Sequence, residues 1–425
     1  MKIKTKVLPY EKVLNLPKEK SHRPIKPNIF FRTLIRVLSI PDLCKTHFKY
    51  TTERMEEIGD SPCLILMNHS SFIDLKIAYK IFYPKPLSIV CTSDGFVGKN
   101  LLMRLIGCIP TNKFVTDISL ISNINYALKK LNSNLLMYPE ASYSFDGCAT
   151  PLPKRLGTLL KKLDVPVVTV ITEGAFSRDP LYNGLQLRKV DVSAKVKCLF
   201  SKEDLKNLSA EELDRQLNEQ FNFDNFRWQQ ENKIKIDEPF RADGLNRILY
   251  KCADCGAEGT TVGKGTKLTC TNCNKEYELD VYGNLRAVDG ETKFSHIPHW
   301  FDWERQCVLE EIENGTYKID CDVDIGMLVN HNAIYMVGEG HLTHTAEGFN
   351  LVGCDGKLSY NQKPAAAYSL YSDYNWYEIG DVICIGDKKT LYYCFPKNCG
   401  DVVAKARLAT EEMYKLNKNE KACSQ

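Results

Sequence analysis

The sequence predicts an α/β domain of about two hundred residues with a mainly parallel sheet flanked by helices, then a small cysteine-bearing β ribbon, then a β-rich C-terminal domain. Three observations predict it. Short apolar runs alternate with stretches of helical period between residues 60 and 200, the pattern of a sheet covered on both faces. Two Cys-x2-Cys pairs, Cys252 with Cys255 and Cys270 with Cys273, are separated by fourteen residues, and two such knuckles complete the tetrahedral site of a zinc ribbon. From Gly315 onward short β-like runs recur between turn signals, and one helical stretch follows them.

Bulk composition narrows the class. At 425 residues, with 44% hydrophobic and 26% charged side chains, two or three globular domains are expected. A formal charge of +3 carries no global bias, so an electrostatic partner must be met by a local patch. The 17 cysteines are odd in number and fall partly in strand-like runs, as at Cys63, Cys91 and Cys198, which fits a reducing compartment better than a disulfide framework. No run of about 18 apolar residues occurs and the N-terminus lacks the features of a signal peptide, so the chain is expected to be intracellular and not to span a bilayer.

Residues 1–28 read as a basic arm. Met1 to Arg36 hold ten Lys or Arg against Glu11 and Glu19, and prolines at 9, 17, 24 and 27 argue against a helix before Pro27. From Ile29, helical spacing puts Phe30, Phe31, Leu34, Val37 and Leu38 on one face and Arg32, Arg36 and Ser39 on another. Such a helix suits an anionic membrane surface; it equally suits packing on the α/β core while the arm stays solvated.

The α/β domain is placed at 29–244. Its apolar run Cys63 to Met67 ends on Asn68-His69, with Asp74 five residues after the histidine. A buried strand is expected there, and in open α/β sheets ligands bind at the C-terminal ends of strands. His69 is thus placed to take a proton and Asp74 to hold its imidazole; a structural histidine is the alternative. Asp74 to Phe82, Asp117 to Leu131 and Leu156 to Leu163 have helical period, and Ser88 to Thr92, Asn134 to Tyr138 and Val165 to Ile171 read as strands. Val190 to Cys198 alternates as an edge or antiparallel strand does, and Ser209 with Glu212 marks a capping box.

The order Asn68-His69-x4-Asp74, a strand ending in Pro139-Glu140, then the Val-Pro-Val-Val run from Val165 resembles the glycerolipid acyltransferase superfamily, lysophosphatidate acyltransferase type, over roughly residues 30–240. The resemblance implies an O-acyltransferase that moves a fatty acyl chain from acyl-CoA or acyl-carrier protein to a hydroxyl of a lysophospholipid or related lipid. His69 would be the general base, oriented by Asp74. It also implies phospholipid biosynthesis at the inner face of the cell membrane, with the protein peripheral on the cytoplasmic side. The family's second block is matched by Leu105 to Lys113. Its third, usually Phe-Pro-Glu-Gly-Thr-Arg-Ser, is here Tyr138-Pro139-Glu140-Ala141-Ser142-Tyr143-Ser144. The family's glycine and arginine help hold the acceptor's phosphate, and tyrosine cannot replace that charge. Candidate acceptor contacts are Asn68, Lys113, Glu140, Ser142, Lys154 and Arg178, with Arg155 beside Lys154; for the four cations, solvated surface charge is the alternative. The rival function is a catalytically silent lipid- or protein-binding scaffold, and a third is thioester hydrolysis by the same base.

For the ribbon, placed at 245–290, all four metal positions would be filled by Cys252, Cys255, Cys270 and Cys273, which makes the zinc structural; redox-active dithiols are the alternative. Asp254, Glu258, Glu276, Glu278 and Asp280 leave it no basic face, so no nucleic acid is expected as a partner. In 291–425, His296 to Glu304 leads into a short helix and a final helix is expected from about Asp401 to Lys415. Several strands followed by one helix suggest a pleckstrin-homology-like barrel by element order alone. Tyr368, Tyr371, Tyr374, Trp376 and Tyr377 read as packing or interface residues, and His341, His344, Cys384 and Cys394 show no metal spacing.

Overall fold

The computed structural model describes residues 2–115 and 117–423. A seven-stranded mixed sheet runs in the order Lys49–Glu53, Ser193–Phe200, Val167–Glu173, Leu64–Met67, Asn134–Met137, Leu87–Thr92, Cys108–Thr111. The last five are mutually parallel. Leu64–Met67 lies in the middle and is wholly buried. Its side chains alternate across the sheet: Ile65 and Met67 join the core beneath the helix Asp74–Phe82, while Leu64 and Leu66 join the core under Ile118–Lys129 and Leu156–Leu163. Burial on both faces is why this strand reads as an unbroken apolar run.

Ser193–Phe200 is antiparallel to Val167–Glu173, as its alternation predicts, but it is not the edge. Lys49–Glu53 pairs with its outer side in parallel and is exposed along its whole length. That strand carries no apolar alternation because nothing covers it. At the opposite edge Cys108–Thr111 accommodates Pro110, whose missing N–H is tolerated there.

The expected solvated arm is instead ordered against the C-terminal region. Thr5–Val7 pairs in parallel with the start of the strand Ile334–Thr345. A short helix, Tyr10–Leu14, forms between Pro9 and Pro17 and buries Val13 completely. The prolines flank this turn of helix rather than interrupt it. The next helix runs past Ile40 and through Pro41, spanning Ile29–Lys45. Its orientation is notable in physical terms: Arg32 and Ser39 are buried, while Ile29, Phe30, Leu34, Val37 and Leu38 are exposed. Arg32 is held by Pro84 O at 2.5 Å.

Four short antiparallel strands, Thr261–Lys264, Lys267–Cys270, Glu276–Leu279 and Leu285–Ala287, make the cysteine-bearing ribbon. It packs on the helix Ile297–Glu313 through an edge-to-face contact of Tyr277 with Trp300, whose Nε1 donates to Lys251 O at 3.0 Å.

Seven strands then follow as an antiparallel meander: Ile319–Leu328, Ile334–Thr345, Gly348–Gly353, Leu358–Gln362, Tyr371–Trp376, Gly380–Gly386 and Leu391–Lys397. The first pairs with the last, so the sheet opens between Leu358–Gln362 and Tyr371–Trp376. The final helix, Val403–Cys423, packs against Pro364–Ala366 and Tyr371–Trp376 beside that opening. It is longer than the sequence pattern predicts, and from Val403 to Met413 it is buried on every side. Its charged residues tolerate this because they are paired. Lys405 Nζ meets Glu258 at 2.8 Å and Glu311 at 2.7 Å, and Arg305 bridges Glu411 and Glu412 at 2.8 and 2.9 Å.

Candidate active site

The central strand ends at Asn68, whose side chain clasps its neighbour. Asn68 Oδ1 accepts from Thr172 N at 2.8 Å and Thr172 Oγ1 at 3.1 Å, and its Nδ2 donates to Ser70 Oγ at 3.2 Å. This ties the strand end to Val167–Glu173 and presents the next residue, His69. The chain then turns into the helix Asp74–Phe82, which puts the Asp74 carboxylate at a helix start, where negative charge is favoured.

A single oxygen of Asp74 does the positioning. Oδ2 accepts from His69 Nδ1 at 3.1 Å and from the backbone N–H groups of Ser70 and Ser71 at 2.9 and 3.0 Å. His69 is thereby held as the Nδ1–H tautomer, and its Nε2 has no protein hydrogen-bond partner among the described residues. Burial pushes the His69 pKa below its usual value against the opposing pull of Asp74, and the Lys113 charge lowers it further. A neutral imidazole with a free Nε2 can accept a proton at neutral pH.

Tyr138 and Tyr143 close over the ring. Both stack on His69 with centroids 4.0 Å away, one on each face, so only an edge of the imidazole is open. The exposed Phe72 ring lies edge-on to Tyr143 at 5.9 Å. Below them Glu140 braces the backbone: Oε2 accepts from His69 N at 3.0 Å, and Oε1 from Thr150 N and Oγ1 at 2.9 and 3.1 Å. Burial pushes its pKa up to about 7 despite these donors. The intervening Ala141 has φ 57°, a left-handed conformation that glycine adopts without strain.

The remaining sequence candidates separate. Ser142 Oγ is buried with no partner among the described residues. Lys113 Nζ lies 4.3 Å over the Tyr371 ring, and burial lowers its pKa. Lys154 is exposed, 5.9 Å from the Tyr414 ring. Arg178 is buried and spent on Asp179 at 3.1 Å and Asp42 at 3.5 Å, and Asp179 in turn bonds Ser71 Oγ. Arg178 therefore supports the His69–Asp74 loop from behind. Sequence reasoning missed the two stacking tyrosines and Arg407, whose Nη1 donates to Tyr143 O at 3.2 Å. The aromatic run near Tyr371 was a signal for an interface; nothing marked Arg407.

The four ribbon cysteines also converge, with all Sγ atoms within 4.8 Å of one another. Cys252 and Cys273 are 3.7 Å apart, and Cys255 and Cys270 are 3.8 Å apart. A tetrahedron with zinc–sulfur bonds of about 2.3 Å has edges of about 3.8 Å, so the donor set and its spacing fit zinc.

Residues 47–173 match the Acyltransferase family model, a span that includes Asn68, His69, Asp74, Lys113 and Glu140. The comparison with curated proteins found no match. Among solved structures, the 1-acyl-sn-glycerophosphate (LPA) acyltransferase PlsC from Thermotoga maritima is similar at 18% identity, over 48% of this chain and 81% of its own, with a TM-score of 0.38. That likeness carries no argument about this chain's acceptor. The family match, laid over the Asn68-His69-x4-Asp74 site, places residues 47–173 of this chain in the glycerolipid acyltransferase superfamily.

Proposed function

We propose that the protein transfers a fatty acyl chain from a thioester donor, acyl-CoA or acyl-carrier protein, to a hydroxyl of a lysophospholipid or related lipid. The observation that carries this reading is the His69 imidazole held at Nδ1 by Asp74 with Nε2 unengaged. An alcohol is a poor nucleophile at neutral pH and needs a base within hydrogen-bond reach. His69 Nε2 takes the hydroxyl proton as the oxygen attacks the thioester carbonyl. Collapse of the tetrahedral adduct breaks the carbon–sulfur bond, and the proton passes to the departing thiolate. Asp74 stabilises the imidazolium formed in between.

Two further assignments accompany the reaction. The exposed apolar face of Ile29–Lys45 supports peripheral attachment to a membrane, with Phe30, Leu34, Val37 and Leu38 entering the headgroup region. The thiolates of Cys252, Cys255, Cys270 and Cys273 would hold a structural zinc, since protein ligands fill all four positions. The meander with its final helix is read as a pleckstrin-homology-like module.

The test is turnover of purified full-length protein with a panel of lysolipids and acyl thioesters, products being read by mass spectrometry. His69→Ala is expected to lower the rate by about 10²–10⁴-fold. Unchanged turnover in that variant would rule out the assigned base.

A further inference from the structure

The third block of the acyltransferase domain has Tyr143 where the resembling family has an arginine, so the domain by itself lacks that phosphate-holding charge. The fold brings another guanidinium to the same backbone position. Arg407, on the helix Val403–Cys423, donates from Nη1 to the main-chain carbonyl of Tyr143. It lies 264 residues from Tyr143 in sequence and far outside the family match.

It is buried and paired on one side, to Glu411. The Arg407 side chain is only 4% exposed. Nε reaches Glu411 Oε1 at a long 3.3 Å, and the guanidinium carbon lies 4.4 Å from the Phe145 ring. Nη2 has no acceptor among the described residues. Glu411 is shared, since it also accepts from Ser369 Oγ at 2.6 Å and Arg305 Nη1 at 2.8 Å. A guanidinium has five N–H donors, so Nη2 remains available to a further acceptor. Arg407 also acts electrostatically on Glu140 and on Lys113, and Lys113 acts on His69. Lys113 itself has no hydrogen-bond or ion-pair partner among the described residues, and Asp373 is the carboxyl that most raises its pKa. Lys113 thus acts on the histidine directly, and Arg407 meets the backbone of the tyrosine that covers it.

We propose that Arg407, with Lys113, holds the phosphate of an anionic lysolipid acceptor, so that the acceptor site is completed by the C-terminal helix. This rests on the reaction assigned to His69. It names the acceptor class as a phosphate-bearing lysolipid in preference to a neutral monoacylglycerol. A planar fork suits phosphate oxygens, and bidentate contact there supplies the charge that Tyr143 lacks.

The experiment separates binding from turnover. Binding of short-chain lysophosphatidate and of monoacylglycerol with the same chain is measured calorimetrically on full-length His69→Ala protein, with and without Arg407→Gln, Arg407→Lys or Lys113→Gln. Arg407→Gln is expected to weaken lysophosphatidate binding by about 10–100-fold and monoacylglycerol binding by less than about twofold. Arg407→Lys should recover only part, and Lys113→Gln should show the same selectivity more weakly. In the active protein Arg407→Gln should raise the acceptor KM and leave the donor KM unchanged. Equal weakening of both ligands by Arg407→Gln, or no weakening of lysophosphatidate, overturns the proposal. If Arg407→Gln fails to fold by circular dichroism, Lys113→Gln decides in the same way. Phosphate-selective binding in a wild type that turns over no acceptor would defeat the assigned reaction while supporting the Arg407 site.

Discussion

Asp74→Asn is the most informative single change, because the geometry forecasts a small effect where triad logic forecasts a large one. Oδ2 of Asp74 accepts all three hydrogen bonds, from His69 Nδ1, Ser70 N and Ser71 N, while Oδ1 is buried with no partner among the described residues. Asparagine can put its carbonyl oxygen at the Oδ2 position and its amide at the Oδ1 position. All three donors are then still satisfied and His69 keeps the Nδ1–H tautomer. What is lost is the negative charge facing the imidazolium in the transition state. A hydrogen bond to a charged group contributes about 1.5–3 kcal/mol and a neutral one about 0.5–1.5, a difference of about 1–2 kcal/mol, or roughly 5–30-fold in kcat. Asp74→Ala removes the acceptor altogether and should cost about 10³-fold or more. The assay is initial-rate acyl transfer by both variants, with thermal melts as the control for folding. If Asp74→Asn falls as far as Asp74→Ala while melting normally, the single-oxygen account is wrong.

The acid limb of kcat/KM should have its midpoint below 6.5. The neutral form of His69 is the active one and burial lowers its pKa, so activity is lost as pH falls through that lowered value. Lys113→Gln removes a like charge and should move the midpoint upward; a wild-type midpoint above 6.5 contradicts the burial argument. Ala141→Gly should stabilise the protein by about 0.5–1 kcal/mol in urea unfolding, because φ 57° strains alanine by about 1–2 kcal/mol and part of the relief is lost to glycine's unfolded-state freedom. A destabilised Ala141→Gly would show that the methyl group packs better than the strain harms. Phe30→Glu combined with Leu38→Glu should abolish most co-sedimentation with anionic phosphatidylglycerol vesicles and leave the melting temperature within a few degrees, since both side chains are exposed; retained binding removes that helix as the attachment face.

What the sequence revealed depended on whether a single segment carried the signal. Leu64–Met67, the helix after it and the two cysteine knuckles are local patterns, and each was legible because burial or metal ligation stamps a short period on the chain. Lys49–Glu53 was not, because an exposed edge strand needs no apolar alternation. Residues 1–28 misled for the opposite reason: a basic, proline-rich composition describes solvation, yet Thr5–Val7 needs only backbone hydrogen bonds to pair with Ile334–Met336. In the site, His69, Asp74 and Glu140 sit on one domain and could be placed by motif. Arg178 has the right charge, but it is buried in ion pairs with Asp179 and Asp42. Arg407 could not be found, since only the docking of the last helix sets it beside Tyr143.

That helix also joins the cysteine-bearing ribbon to the site. Lys405 and Arg407 are two residues apart, about 200° around a helix, so they face opposite sides. Lys405 is tied to Glu258, which lies between the two cysteine knuckles, and to Glu311. Arg407 is tied to Tyr143, whose ring covers His69. A metal held by the four cysteines would fix the loop that carries Glu258, one of the two anchors for Lys405. Cys270→Ser should therefore reduce bound zinc from about one per chain, lower the melting temperature, and raise the acceptor KM several-fold while kcat at saturating acceptor changes less. Lys405→Met should reproduce the KM effect with zinc content intact, because it cuts the same link on the helix side. A Cys270→Ser protein that has lost its zinc but keeps the wild-type acceptor KM would show that the ribbon and the acceptor site are mechanically independent.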